Sequence, residues 1–264
     1  MRDVRHTQIL DIVNSRQVVT VKELVDELKI STATVRRDLE ALSQAGLLQR
    51  TRGGAQSLPT YLPPVIKMDQ THSTQKAAIA QHCLEYIKPG AMIGVTGGST
   101  VGALAHALAQ WAHRHKDQLS SPHKPLLTIV TNAVDIAYRL AEVSEIKIVL
   151  TGGVINGFSY ELTGPYAIDV LNQISLDMAF IGVNGFDENG PGTVDEYEAS
   201  VNHTMITRAQ QTFIVADSSK FGKRSFTSIS GDSDRLATTI ITDSSISQEW
   251  ADRVTQQGYN LRIV

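Results

Sequence analysis

Apolar residues recur at helical spacing in three short stretches at the start of the chain. Ile9, Leu10 and Val13 do so between Arg5 and Val13, which predicts a first helix. Thr20-Val21-Lys22-Glu23 has the form of a capping box, with Thr20 as N-cap and Glu23 at the third helical position. Val19 and Leu24 form its hydrophobic staple, and Leu24, Val25 and Leu28 face a core. A tight connection at Lys29-Ile30 leads to Ser31, a second N-cap, and Val35, Leu39 and Leu42 follow at spacings of four and three. After Gly46, Leu47-Leu48 and Arg50 to Ala55 read as two short strands around a turn. Helix, capped helix, short turn and capped helix make a helix-turn-helix pattern, and the hairpin adds a wing.

Beyond residue 74 the pattern alternates between helix and strand. Helices are expected at 75–87, 100–111, 133–141, 165–173, 196–209 and 248–257. Strands are expected at 91–95, 127–130, 146–150, 178–182, 211–215, 238–242 and 260–264. Short β-rich runs alternating with helices predict a mostly parallel α/β sheet covered on both faces. Between the two patterns lie Pro59, Pro63 and Pro64 with no clear period, which reads as a semi-rigid linker. The expected domains are therefore 1–56, a linker at 57–74, and 75–264.

The third helix carries chemistry on its polar side. Ala33, Arg37 and Glu40 point away from its apolar face, with Arg36 on the flank. An outward Arg37 beside small Ala33 and the hydroxyls of Ser31, Thr32 and Thr34 suits a helix laid N-terminus first into a DNA major groove. There arginine can bond guanine O6 and N7. Arg50, Arg52 and Gly53 at the wing can reach phosphates or the minor groove. By itself the helix also reads as an ordinary amphipathic surface helix. Its capped neighbour and the wing favour the DNA-reading alternative.

Charge changes the picture once it is divided. The chain of 264 residues has a formal net charge of −3, but residues 1–56 carry nine Lys/Arg against seven Asp/Glu, and the remainder fifteen against twenty. A weakly basic head on an acidic body predicts modest affinity per head. Two heads of a homo-oligomer, dimer or tetramer, would then share one pseudo-palindromic double-stranded operator. The single cysteine, Cys83, excludes an internal disulfide and reads as a small buried hydrophobe. No apolar run is long enough to span a bilayer and none resembles a signal peptide, so a cytoplasmic location without membrane partners is expected. His106, His113 and His115 read as a solvated helix terminus rather than metal ligands, and no catalytic triad is identifiable from spacing. No cofactor, metal or catalytic residue is expected.

The strand ends of the second domain hold the other candidate chemistry, because ligands of such sheets gather there. Thr96-Gly97-Gly98-Ser99-Thr100 follows a strand and opens a helix. Its glycines let backbone approach an anion and the helix N-terminus adds amides, although a tight turn that needs glycine only for geometry reads the same way. Thr131-Asn132, Thr151-Gly152-Gly153, Asn184-Gly185 and Asp217 to Gly222 end other strands similarly. Lys220 is the one cation among these ends, placed to pair a phosphate or a local carboxylate. Glu196, or Glu198, at a helix start can contact a sugar hydroxyl, and the same acids also suit the helix N-terminus electrostatically.

Ser31, Thr34, Val35, Arg36, Arg37, Asp38, Leu39, Leu42, Gly46, Arg50 and Gly53 to Ala55 together resemble the winged-helix signature of the DeoR-type bacterial transcriptional repressors. Arg52 departs from that signature, which usually has His there. Residues from about Lys76 onward resemble the effector domain of the same repressors, which is similar in fold to ribose-5-phosphate isomerase and the aminosugar-phosphate deaminases. Gly98-Ser99-Thr100 matches the loop that holds a sugar phosphate in those relatives, and Asp217 to Gly222 matches a run typical of the repressors. Thr96 stands where many relatives have Asp. Asn184-Gly185-Phe186-Asp187-Glu188 echoes an isomerase run but with an amide replacing its first carboxylate, and an amide cannot act as a general base. The resemblance implies a DNA-binding repressor of a carbohydrate or polyol operon, released by a phosphorylated sugar or polyol. An isomerase- or deaminase-like enzyme with a DNA-binding head is the rival, and a constitutive DNA binder a third reading.

Overall fold

The computed structural model describes residues 2–16, 18–44, 47–57, 71–118, 124–229 and 232–264. It divides into two compact units, residues 1–64 and 65–264. The prolines of the expected linker lie outside the described residues. Ser57 at its start closes a strand, and Ser73 at its end opens a helix.

In the first unit α1 (Arg2–Arg16) is followed by β1 (Val18–Thr20), α2 (Val21–Leu28), α3 (Thr32–Gln44), β2 (Leu48–Thr51) and β3 (Gly54–Ser57). The capping box holds α2 in place: Glu23 N–H donates to Thr20 Oγ1 at 3.2 Å, and Thr20 N–H to Glu23 Oε2 at 2.6 Å. Lys29 then takes a left-handed φ of 54°, which ends α2 abruptly and turns the chain into α3. Ile9, Val13, Val19, Leu24, Val35, Leu39, Leu42, Leu48 and Ala55 form one core, so the apolar periods read from the sequence all converge. β1 was not expected, since three residues are too few to show a period. It adds to the hairpin in the order β1-β3-β2, with all pairs antiparallel.

The second unit opens with α4 (Ser73–Cys83), β4 (Met92–Val95), α5 (Ser99–Arg114), β5 (Leu127–Thr131), α6 (Val134–Leu140) and β6 (Ile146–Leu150). A hairpin, β7 (Val154–Ile155) and β8 (Leu162–Thr163), leads to α7 (Pro165–Asn172) and β9 (Leu176–Gly182). Then come β10 (Gly185–Asp187), β11 (Gly190–Thr193), α8 (Glu196–Thr207), β12 (Ala209–Val215) and β13 (Thr227–Ser228). β14 (Thr238–Thr242), α9 (Gln248–Gln256) and β15 (Asn260–Ile263) complete it. Seven strands form a parallel sheet in the order β15-β14-β12-β9-β4-β5-β6.

Side chains alternate across that sheet. Ile93, Val95, Phe180, Phe213 and Val215 pack under α4, α5 and α6, while Ala179, Ile181, Ile214 and Ile240 pack under α7, α8 and α9. Both faces are thus buried, which is why these strands read as nearly unbroken apolar runs. Cys83 lies inside the first layer, where burial pushes its thiol up to about 12 and leaves it unreactive. Among the described residues no helix is long and apolar enough to cross a membrane.

The chain runs outward from β4 to β6 in one direction and from β9 to β15 in the other. The order therefore reverses between β4 and β9, and a crevice opens outside their carboxyl ends.

One buried charge fastens the first unit. Asp38, 3% exposed, accepts from Arg5 Nε at 2.6 Å and Nη2 at 3.1 Å, and lies 3.2 Å from His6 Nε2. The Arg5 hydrogen bonds hold its carboxyl below the ordinary carboxylate range despite burial. The folded state thus binds fewer protons there than the unfolded state does. The contribution is present above the ordinary carboxylate range and lost as pH falls through the lowered value. Asp38→Asn should therefore lower the urea midpoint of the N-terminal unit at pH 7, and its difference from the parent should shrink at pH 3. An unchanged midpoint at pH 7 would assign Asp38 no anchoring role.

Candidate functional site

Each unit presents a candidate functional surface among its described residues. In the first, Ser31 caps α3: Thr34 N–H donates to Ser31 Oγ at 3.2 Å, and the two hydroxyls are 2.9 Å apart. Burial of Val35, Asp38, Leu39 and Leu42 fixes the rotation of α3, so Thr32, Ala33, Arg36 and Arg37 are exposed together along its opposite side. Successive residues on a helix lie about 100° apart, so inward Asp38 enforces outward Arg37. Arg52 and Gly53 sit exposed at the wing turn, which Val21 N–H anchors by donating to Gly53 O at 2.9 Å. Arg50 pairs with Glu40 of α3, tying the wing to that helix. Arg50 was read only as a DNA contact, and this pairing gives it a structural role as well.

In the second unit the crevice between β4 and β9 is a cavity of about 490 Å³. Thr96 closes its floor by accepting from Gly182 N–H at 2.9 Å, joining the ends of the two strands at the switch point. The chain then turns through Gly97 and Gly98 into α5. Gly98 has φ of 102°, a conformation that favours glycine, and no side chain caps the helix. The first amides of a 16-residue helix thus open on the cavity beside Ser99. Such a terminus is a ready site for an anion.

The remaining walls are strongly acidic, with Asp135, Glu161, Asp195 and Glu198 against Arg139. Glu161 is wedged against the loop, so that a Cβ on Gly97 would lie 2.3 Å from its Oε1. Asn132 Nδ2 donates to Glu161 Oε2 at 2.9 Å and to Leu162 O at 3.3 Å, which locks β8 to the end of β5. Burial, aided by the charges of Glu198 and Asp135, pushes the Glu161 carboxyl up to about 8. Glu198 is raised by burial and by neighbouring Asp195, against hydrogen bonds from Ser159 and Asn156. Asn156 Nδ2 bridges Glu198 Oε1 at 3.0 Å and Asp195 Oδ2 at 3.4 Å. Asp195 in turn caps α8, accepting from the amides of Tyr197 and Glu198 at 2.9 Å each. Burial also raises Asp135, with Arg139 opposing the shift. Among the described residues no cluster of His, Cys, Asp and Glu has the arrangement to hold a metal ion.

Residues 5–60 match the DeoR-like helix-turn-helix domain, and residues 71–244 match the DeoR C terminal sensor domain. The chain belongs to the DeoR family of transcriptional regulators. It is 31% identical over 245 residues to the uncharacterized HTH-type transcriptional regulator YulB of Bacillus subtilis (strain 168), covering 92% of this chain and 89% of that one. It is 30% identical over 222 residues to the glycerol-3-phosphate regulon repressor of Escherichia coli (strain K12), covering 83% and 82%. In structure it is similar to ribose 5-phosphate isomerase A from Methanocaldococcus jannaschii, with a TM-score of 0.41 at 15% identity over 58% of this chain and 56% of that one. The relatives are regulators rather than enzymes, and this DeoR-family chain is a DNA-binding transcriptional regulator with a sensor domain.

The DeoR-family regulator places the residues expected from sequence in three groups. Gly97, Gly98, Ser99 and Asn184 line the cavity. Thr100, Thr131 and Asn132 are buried behind it: Thr131 Oγ1 accepts from Ala133 N–H at 3.0 Å, and Asn132 positions Glu161. Gly152, Gly153, Gly185, Glu196 and Lys220 do not line it. Gly152-Gly153 leads into the β7–β8 hairpin, and Gly185, in β10 of the small sheet β10-β11-β13, is covered by the backbone of Lys223. Glu196 is exposed on α8, two residues before the buried Glu198. Lys220 ends a 3₁₀ turn capped by Asp217, and the chain there is drawn toward β10 by Gly222 N–H donating to Phe186 O. The cation on the cavity wall is Arg139 of α6 instead. Sequence reading also missed Asp135, Asn156, Ser159, Glu161 and Asn202. The turn-forming Asn156-Gly157 was a usable signal for a loop near the site, but nothing local marked Glu161.

The raised Glu161 makes a pH prediction. Its folded value of about 8 exceeds the ordinary 4.5, so the native state retains a proton that the unfolded chain releases. The stability it contributes is complete below the ordinary value and is lost as pH rises to about 8. Glu161→Gln should melt above the parent at alkaline pH and close to it near pH 5. Equal melting temperatures across that range would show that the carboxyl does not carry the proton.

Proposed function

We propose that this regulator is a repressor of a carbohydrate or polyol utilisation operon, released from its operator by a phosphorylated sugar or polyol. The observation that carries the reading is the uncapped N-terminus of α5, opening with Ser99 on a cavity of about 490 Å³ at the strand-order reversal. That volume lies within the range of small-ligand sites. The phosphate sits on the Gly97-Gly98-Ser99 turn with Arg139 on the wall, and the sugar hydroxyls donate to Asn184, Glu161 and Glu198. The E. coli relative named for a glycerol-3-phosphate regulon supports a phosphorylated ligand.

The heads act as a homo-oligomer, dimer or tetramer, in the cytoplasm. Their small positive charge calls for two heads per operator, and exposed Val154, Ile155 and Phe158 on the hairpin segment offer apolar surface for assembly. In each head Ser31, Thr32, Ala33, Thr34, Arg36 and Arg37 address the operator, and Arg50, Arg52 and Gly53 its backbone. For the ligand to weaken DNA binding 100-fold, the two sites must be coupled by about 2.7 kcal/mol, within the usual range.

Titration of the upstream DNA of its own gene against sugar and polyol phosphates at fixed salt tests the reading. One phosphate should release the DNA while its unphosphorylated parent does not. Release by no phosphate would leave the DNA-binding head and remove the effector assignment. Arg37→Ala should weaken operator binding roughly tenfold or more and flatten the preference over random DNA, as loss of a bidentate base contact does. Unchanged preference would move base reading elsewhere on α3. Arg139→Ala should raise the ligand concentration needed for release, whereas Lys220→Ala should remain close to the parent; the reverse outcome would return the phosphate to the Asp217–Gly222 turn.

A further inference from the structure

We infer that the sensor cavity selects a ligand carrying a protonated amine in addition to its phosphate, with the amine held by Glu198, Asp195 and Asn202. This deepens the proposed phosphate-sensing reading and rests on it. Two independent observations lead there, one of charge and one of an unsatisfied buried atom.

The charge is unbalanced. Of the four carboxyl groups that line the cavity, Glu161 retains its proton, which leaves Asp135, Asp195 and Glu198 against the single guanidinium of Arg139 among the described lining residues. Arg139 acts on Asp135. Glu198 and Asp195 are drawn together on the start of α8, both bonded by Asn156 Nδ2. A phosphate at the α5 terminus adds negative charge to a cavity already negative. Opposite charge supplied by the ligand itself relieves that repulsion, and in a half-enclosed site the gain is larger than in water.

Asn202, one turn beyond Glu198 on α8, also lines the cavity. It is 2% exposed, and among the described residues no group hydrogen-bonds its Oδ1. A buried acceptor left without a donor is costly, so this atom calls for a donor from the ligand. Its neighbours on this wall, Asp195 and Glu198, present carboxyl oxygens that are acceptors as well. A hydroxyl would satisfy one acceptor without changing the charge, while an ammonium supplies three donors and the missing positive charge together.

Isothermal titration calorimetry on the full-length protein tests this with matched probes. These are glucosamine 6-phosphate, glucose 6-phosphate, N-acetylglucosamine 6-phosphate, their galacto counterparts, and glucosamine without phosphate. In at least one series the amine phosphate should bind tenfold or more tightly than both its hydroxyl and its N-acetyl partner. In Glu198→Gln, checked for an unaltered melting profile, that ratio should fall several-fold, and Asn202→Leu should reduce it independently. Equal affinity of amine and hydroxyl phosphates would overturn the inference and leave the phosphate-sensing reading standing. Binding of glucosamine as tightly as its phosphate would overturn the phosphate reading on which the inference rests. Binding of none of the probes would overturn the inference, while the phosphate reading would still stand or fall on the DNA-release titration.

Discussion

The sensor unit depends on the parting of two adjacent strands. β4 and β9 run side by side, yet the chain leaves them toward opposite edges of the sheet, so no connection crosses the space above their carboxyl ends. That space is held to size by two contacts. Thr96 Oγ1 fastens the strand ends through Gly182 N–H, and Glu161 fills the flank against Gly97. Both contacts need a small residue on one side, which explains glycine at 97 independently of any ligand. The uncapped terminus of α5, the β7–β8 hairpin and the start of α8 are then brought to the rim by the sheet beneath them.

Much of this was legible where a signal is repeated along the chain. The seven parallel strands and their helices announced themselves through apolar runs, as in Leu176–Gly182, and through helical spacing, as in Ser99–Arg114. The winged head was legible in more detail, because capping boxes and staples are local and Thr20, Glu23 and Ser31 carry them in a few residues. The cavity was half legible. Strand ends gave Gly97, Gly98, Ser99 and Asn184, but two-residue strands such as Val154–Ile155 and Leu162–Thr163 have no period to read. Glu161 reaches the site only because that hairpin folds back onto Asn132, a contact between residues 29 positions apart. Arg139 lines the cavity and Lys220 does not for the same reason, since which side of a turn or helix faces the crevice is decided by packing.

The two units use buried carboxyl groups in opposite ways. Asp38 is buried with its charge, and Arg5 holds that charge so well that the carboxyl titrates below its ordinary range. The result is a rigid joint between α1 and α3, which presents Arg36 and Arg37 in fixed orientation. Base reading needs such rigidity, because a bidentate contact tolerates little rotation. Glu161 is buried without a cation of its own and beside other carboxyls, so it titrates far above its ordinary range. A group held in that way packs the flank of the cavity while storing free energy.

Stored free energy is what a sensor requires. A ligand shifts an equilibrium only by its difference in affinity for two states, so a cavity whose polar groups were already mutually satisfied would have little to gain from being filled. Here the buried acceptor of Asn202, which no described group meets, and the crowded carboxyls of Glu161, Glu198 and Asp195 give a ligand interactions to gain. The coupling needed to release an operator is only a few kcal/mol. Relief of one such buried group is of that order, since leaving a buried donor or acceptor unmade costs about 1–3 kcal/mol. Buried polar groups of this kind are therefore sufficient, in magnitude, to let a small ligand alter a DNA complex.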